Sequence, residues 1–181
     1  MSSDAQVPQL AIVLSRYNAS ITDALLEGAR AAYASAGGAP ASLAVLPAPG
    51  TYELPIVALA AAESGLFQGV VALGCVIRGE TDHDKYISQS VADGLMRASL
   101  ETGVPIAFGV LTVHDASQAQ ARAGGVHGNK GAEAVEAVLD TLRTLDALDA
   151  AAEGGDASSL DDLGRRAHDK AASSGPAEAG R

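Results

Sequence analysis

Short continuous apolar runs alternate with longer amphipathic stretches along this chain, and the alternation occurs four times. Leu10 to Leu14 is the first run, a buried strand by its length, and it ends in the polar Ser15-Arg16-Tyr17-Asn18. A helical period follows, with Ile21, Leu25, Ala29 and Ala32 on one stripe; Ser20, with Asp23 three residues on, is the expected N-cap, and Gly37-Gly38 the expected stop. Ser42 to Leu46 is the second strand. The loop from Pro47 to Glu53 then leads into an Ala-rich helix whose first turn accommodates Pro55, and that helix ends at Ser64-Gly65. Gly69 to Ile77 is the third strand, followed by a loop over Arg78 to Lys85 and a helix from about Tyr86 to Thr102. Pro105 to Val113 is the fourth. Asp115 caps a short Gln/Ala-rich helix that ends near Ala123, and after the Gly-rich stretch from Gly124 to Gly131 a last helix carries Ala134, Val135, Val138, Leu139 and Leu142.

Strands that alternate with helices predict right-handed crossovers and a parallel sheet, and continuous rather than alternating apolar strands predict helices on both of its faces. The 181 residues suffice for one domain with a sizeable core but not for two. From Ala147 the composition shifts: 19 of the last 35 residues are Ala, Gly or Ser. The expected organisation is therefore an N-terminal arm (1–9), a domain (10–146) and a mostly disordered tail (147–181), with a short helix around Leu160 to Lys170 as its one candidate element.

A net charge of −10 argues against a nucleic-acid surface, which needs clustered Lys and Arg. The single cysteine, Cys75, excludes an internal disulfide and fits a reducing compartment. The first residues lack a basic region followed by an apolar run, and no apolar run approaches the ~20 residues of a membrane span, so the cytoplasm is the expected location.

In an open parallel sheet, ligands sit outside the carboxyl ends of the strands. The few polar residues there are Tyr17, Asn18, Tyr52, Glu53, Arg78, Glu80, Thr81, His83 and His114. His83 is the natural proton carrier, against the alternative of a solvated loop histidine. Gly79-Glu80-Thr81 ahead of a helix could hold an anion, or could be a turn with a cap. Glu53 could serve a ligand or simply favour a helix N-terminus, and Tyr17-Asn18 could stack on and hydrogen-bond a flat polar ligand or form an ordinary turn. Arg122 and Lys130, flanking the Gly-rich stretch, could neutralise a phosphate or be solvated surface. Cys75 lies inside an apolar strand, where packing is the favoured role. No two of the four histidines share a metal-ligand spacing, so no metal site is expected.

Four of these motifs, in this order, resemble the lumazine synthase family of riboflavin biosynthesis: Tyr17-Asn18, Pro49-Gly-Thr-Tyr-Glu53, Gly74-Cys-Val-Ile-Arg-Gly-Glu-Thr-Asp-His83, and Arg122-Ala-Gly with Gly128-Asn-Lys-Gly131. The resemblance covers about Leu10 to Leu145. It implies an α/β fold, a flavodoxin-like three-layer αβα sandwich with a four-stranded parallel sheet, and a site shared between neighbours in a homopentameric ring. It implies the condensation of 5-amino-6-(D-ribitylamino)uracil with 3,4-dihydroxy-2-butanone 4-phosphate to 6,7-dimethyl-8-ribityllumazine, with release of phosphate and water and without metal or organic cofactor.

On that resemblance Tyr17 stacks on the pyrimidine, Asn18 and Glu53 hold the ribityl hydroxyls beside the Thr51-Tyr52 backbone, and Cys75, Val76 and Ile77 meet the ring edge. Glu80 and Thr81 bind the phosphate and His83 moves protons. Phe108, Arg122 and Lys130 come from the adjacent subunit, Arg122 to the phosphate. The short connection from Arg122 to Gly128 is similar to that of members that build icosahedral sixty-subunit shells, and riboflavin synthase is an implied partner. The rival reading is a non-catalytic flavin- or lumazine-binding or shell-forming homologue, which need not keep His83, Arg122 and Glu53. Asp84-Lys85 depart from the aromatic residue the family usually places after the histidine; a carboxylate close to His83 would stabilise its protonated form.

Overall fold

The computed structural model describes residues 7–158 together with Leu160, Asp161 and Gly164. Four parallel strands, β1 (Leu10–Ser15), β2 (Leu43–Ala48), β3 (Gly69–Ile77) and β4 (Ile106–Val113), form a sheet in the order β2-β1-β3-β4. Between them run α1 (Ala19–Ser35), α2 (Leu54–Glu63) and α3 (His83–Thr102). After β4 come α4 (Ala116–Arg122), a small antiparallel ribbon of β5 (Ala123–Gly125) and β6 (Gly128–Asn129), and α5 (Lys130–Gly154).

The faces follow from the two-residue strand period. Ala11 and Val13 of β1 and Val70, Ala72 and Val76 of β3 are buried in one cluster with Leu54, Ala58, Ala61 and Ala62 of α2 and Val91 and Leu95 of α3. The intervening Leu10, Ile12, Val71 and Leu73 are equally buried and face the other way. On that side a Cβ at Gly109 would lie 2.5 Å from Leu73 and 3.2 Å from Ala134 of α5. Helices therefore cover both faces, as the continuous apolar strands predicted.

The boundaries differ from the sequence reading in informative places. The N-cap of α1 is Asn18, not Ser20: its backbone is left-handed (φ 57°), and its carbonyl accepts from the N–H groups of Ile21 (2.8 Å) and Thr22 (3.0 Å). Among non-glycine residues, Asn tolerates this conformation best. The helix stops as expected, where Gly37 (φ 90°) donates to the Ala34 carbonyl and Gly38 to that of Tyr33. Asp115 caps α4 as expected, its carboxylate accepting from the Gln118 N–H at 2.9 Å. The Ser117 hydroxyl and that N–H together hold the Asp115 carboxyl below its usual range. The β5–β6 ribbon was not anticipated.

The motif Gly128-Asn-Lys-Gly131 has a structural cause. The Asn129 carboxamide oxygen accepts from the N–H groups of Gly131 (2.9 Å) and Ala132 (3.2 Å) at the start of α5, while its nitrogen donates to the Ala24 carbonyl of α1 (2.8 Å). Gly28 leaves the space this side chain fills, and a Cβ at Gly131 would run into the Leu25 carbonyl.

The chain divides into two compact units, residues 1–139 and 140–181. In the second, the expected disorder from Ala147 is corrected at its start: α5 continues to Gly154, because the Ala-rich 147–152 stretch forms helix without needing a buried face. The helix closes where Gly155 (φ 63°) donates to the Ala152 carbonyl and Asp156 to that of Ala151. Of the helix expected around Leu160 to Lys170, Leu160, Asp161 and Gly164 are helical and the other residues lie outside the described ones.

Candidate active site

The order in which strands are added to the sheet reverses between β1 and β3: the loop after β1 enters a helix on one face and the loop after β3 a helix on the other. Such a switch point opens a crevice at the carboxyl ends of the strands. Here the crevice is a cleft of about 320 Å³ lined by Tyr17, Asn18, Gly50, Thr51, Tyr52, Glu53, Cys75, Val76, Ile77, His83 and Ile87. Nine residues named from the sequence, out of loops as far apart as Tyr17 and His83, thus share one wall.

Each is held for a physical reason. The Asn18 side-chain nitrogen donates to the Cys75 carbonyl at 2.9 Å, tying the loop after β1 to the end of β3. Tyr17 and Tyr52 are 70% and 62% exposed, leaving aromatic faces open for stacking in a chain that is otherwise poor in them. A Cβ at Gly50 would lie 2.7 Å from the Tyr17 ring and 3.0 Å from a Glu53 carboxylate oxygen, so this glycine lets both side chains close over the loop. Gly74 similarly makes room for Leu54 and the Thr51 hydroxyl, each 3.0 Å from a built Cβ. Glu53 precedes α2 but makes no capping hydrogen bond. Its carboxylate stands near the lip of the cleft.

His83 is the first residue of α3 rather than part of a loop, which corrects the expected start at Tyr86. Its Nδ1 is hydrogen-bonded to the Thr81 hydroxyl, and its Cε1 lies 3.7 Å from a Cβ built at Gly79. Starting the helix at His83 also places Ile87 one turn on, on the same cleft-facing side. Ile87 and Gly50 are the lining residues the sequence reading did not name; a helix begun at His83 would have shown the first, while nothing in the sequence pointed to the second beyond its place between Pro49 and Thr51.

Cys75 is buried in the cleft floor, and desolvation pushes its thiol up to about 11. It is a neutral apolar surface there, not a nucleophile. Asp84, the unexpected neighbour of His83, is 94% buried and makes no ion pair with it; its Oδ1 has no hydrogen-bond partner. Consecutive helical residues point about 100° apart, which separates the two side chains. Lys85 pairs with Asp82 at 3.1 Å on the surface.

Glu80 and Thr81 are exposed in the loop before α3, beside the cleft but not lining it. Phe108, Arg122 and Lys130 also lie outside it. Phe108 is 46% exposed on β4, a strand at the sheet's edge; Arg122 donates to the Gln118 carbonyl of its own helix (3.2 Å); and Lys130 pairs with Glu133 (2.6 Å). His114 and His127 are likewise exposed and outside the cleft. No helix among the described residues is long and apolar enough to cross a membrane.

Fold and cleft together define a doubly wound α/β protein with an aromatic-walled cleft whose lining includes one imidazole and one carboxylate. Residues 8–146 match the family model of 6,7-dimethyl-8-ribityllumazine synthase. The chain is 53% identical to the protein of that name from Thermus thermophilus over 125 residues, 69% of this chain and 80% of the relative. It is 48% identical to the one from Xanthomonas euvesicatoria over 125 residues (69% and 81%) and 47% identical to the one from Stenotrophomonas maltophilia over 133 residues (72% and 86%). The chain belongs to the 6,7-dimethyl-8-ribityllumazine synthase family.

Proposed function

We propose that the chain condenses 5-amino-6-(D-ribitylamino)uracil with 3,4-dihydroxy-2-butanone 4-phosphate to 6,7-dimethyl-8-ribityllumazine, releasing phosphate and water. The observation that carries this reading is the meeting of Tyr17, Glu53 and His83 around one cleft at the switch point of the sheet.

The chemistry fits the equipment. An amine attacks a ketone to form an imine with loss of one water, phosphate leaves by elimination, and the ring closes with loss of a second water. Tyr17 stacks on the pyrimidine. Asn18 and Glu53, with the Thr51-Tyr52 backbone, receive the ribityl chain, and Val76 and Ile77 bound the ring above the Cys75 floor. Each bond change moves a proton, which the His83 imidazole accepts and returns. Glu80 and Thr81, next to the N–H groups that open α3, receive the phosphate. Holding two reactants in register supplies the larger share, since orientation is worth ~7–11 kcal/mol of a barrier. His83→Ala is therefore expected to slow turnover by about one to three orders of magnitude without abolishing it. The test is absorbance of the lumazine product from both substrates; no product from the native chain would sink the enzyme reading, and an unchanged rate in His83→Ala would sink the role of the histidine.

Assembly belongs to the same reading. Phe108, Arg122 and Lys130 lie away from this chain's own cleft, and a homopentameric ring in which they complete the cleft of the next copy gives them a use, with Arg122 on the departing phosphate. The tight β5–β6 ribbon between Arg122 and Lys130 favours an icosahedral sixty-subunit shell, and light scattering at the mass of one pentamer would refute that. Residence in the cytoplasm and hand-over of product to riboflavin synthase complete the proposal.

A further inference from the structure

The reaction proposed above asks one imidazole to take protons and to give them back. A histidine does both at one ring nitrogen by passing between the neutral ring and the imidazolium while its other nitrogen keeps its proton, so a partner that accepts from that other N–H fixes which nitrogen faces the reaction. A carboxylate or a backbone carbonyl is such a partner, because each accepts and fixes a proton on the nitrogen it touches. A hydroxyl both donates and accepts, so it can fill the same place.

The partner of His83 Nδ1 is the Thr81 hydroxyl. Among the described residues no charged group pairs with the ring: the adjacent carboxylate, Asp84, is buried away from it, Asp82 is paired with Lys85, and Glu80 makes no ion pair. With Nδ1 occupied, Nε2 is the nitrogen left for the cleft that His83 lines.

We infer that Thr81 is the positioning residue for His83, its hydroxyl accepting from Nδ1–H so that Nε2 faces the cleft, taking a proton as base when the ring is neutral and returning it as acid from the imidazolium. When the hydroxyl accepts from Nδ1–H of the neutral ring, Nε2 presents its lone pair, ready to receive. Taking a proton at Nε2 gives the imidazolium, which Thr81 accommodates as acceptor. This is a second role for a residue placed at the phosphate, and it rests on the reading of His83 as the proton carrier.

The two roles separate experimentally. Thr81→Val keeps the shape and removes the hydroxyl; Thr81→Ser keeps the hydroxyl. Positioning predicts that Thr81→Val lowers kcat by at least about tenfold, more than it raises KM for the phosphate substrate, and moves the acid limb of the kcat–pH profile, while Thr81→Ser recovers most of the rate. Independently of turnover, the imidazole ¹⁵N resonances of His83 in the substrate-free protein are expected to shift between tautomers in Thr81→Val and to stay near native values in Thr81→Ser. A Thr81→Val protein with a raised KM but native kcat, pH profile and ¹⁵N shifts would overturn the inference and leave Thr81 as a phosphate ligand only. If the native chain forms no product while the ¹⁵N shifts still follow the hydroxyl, the reaction reading fails and the Thr81–His83 pairing stands.

Discussion

Asn129→Ala is expected to be the most informative single substitution outside the cleft, because one side chain joins two helices and starts one of them. It removes three hydrogen bonds: two that cap α5, from Gly131 N–H and Ala132 N–H, and one to the Ala24 carbonyl of α1. Losing a capping side chain costs ~0.5–2 kcal/mol. The lost bond to Ala24 adds ~0.5–1.5 kcal/mol. The sum is roughly 1–3.5 kcal/mol. For a chain of this size that is a fall in Tm of about 2–14 °C at ~2–4 °C per kcal/mol. Thermal unfolding followed by circular dichroism, at one protein concentration because Tm depends on concentration in any protein that self-associates, measures it. Gly28→Ala provides the cross-check. Its new Cβ would occupy the place of the Asn129 carboxamide, so it should destabilise the native chain strongly but add little to Asn129→Ala. A fall below about 2 °C for Asn129→Ala, or additive losses in the double variant, would refute the account of this motif as a helix-to-helix brace.

Two other substitutions test buried groups around the cleft. Because burial raises the Cys75 thiol from its ordinary value to about 11, the folded state favours the protonated form. That stabilisation is complete below about pH 9 and is lost as the pH rises through 11, so Cys75→Ala should flatten the alkaline loss of stability in this window, and urea unfolding at pH 7, 9 and 11 compares the two slopes. Asp84→Val replaces a buried carboxylate whose Oδ1 has no partner with an apolar side chain of similar shape, which should stabilise the fold by about 1 kcal/mol after the lost helix-dipole contribution is subtracted; destabilisation in urea unfolding would show that the carboxylate has an essential partner.

The amino-acid sequence by itself determined the fold class. Continuous apolar strands such as Gly69–Ile77 are buried on both faces, the usual condition of a parallel sheet covered by helices, and glycine pairs such as Gly37-Gly38 end helices by a local backbone rule that tertiary contacts need not supply. It also determined which loops meet, since the carboxyl ends of neighbouring parallel strands lie side by side whatever the loops contain. What only the tertiary structure decided were matters of direction and competition. Ser20 and Asp23 satisfy a capping pattern, yet α1 begins at Asn18, because the side chain of Asn18 is drawn to the Cys75 carbonyl 57 residues away and its backbone turns left-handed there. Asp84 and His83 are neighbours in sequence, but one helical step sends the first into the interior and leaves the second at the cleft. Asn129 looked like part of a phosphate-flanking loop, and its partners prove to be the helix it starts and the carbonyl of Ala24. In each case a long-range hydrogen bond or a burial direction, neither of which is encoded in local spacing, chose between local alternatives of similar energy.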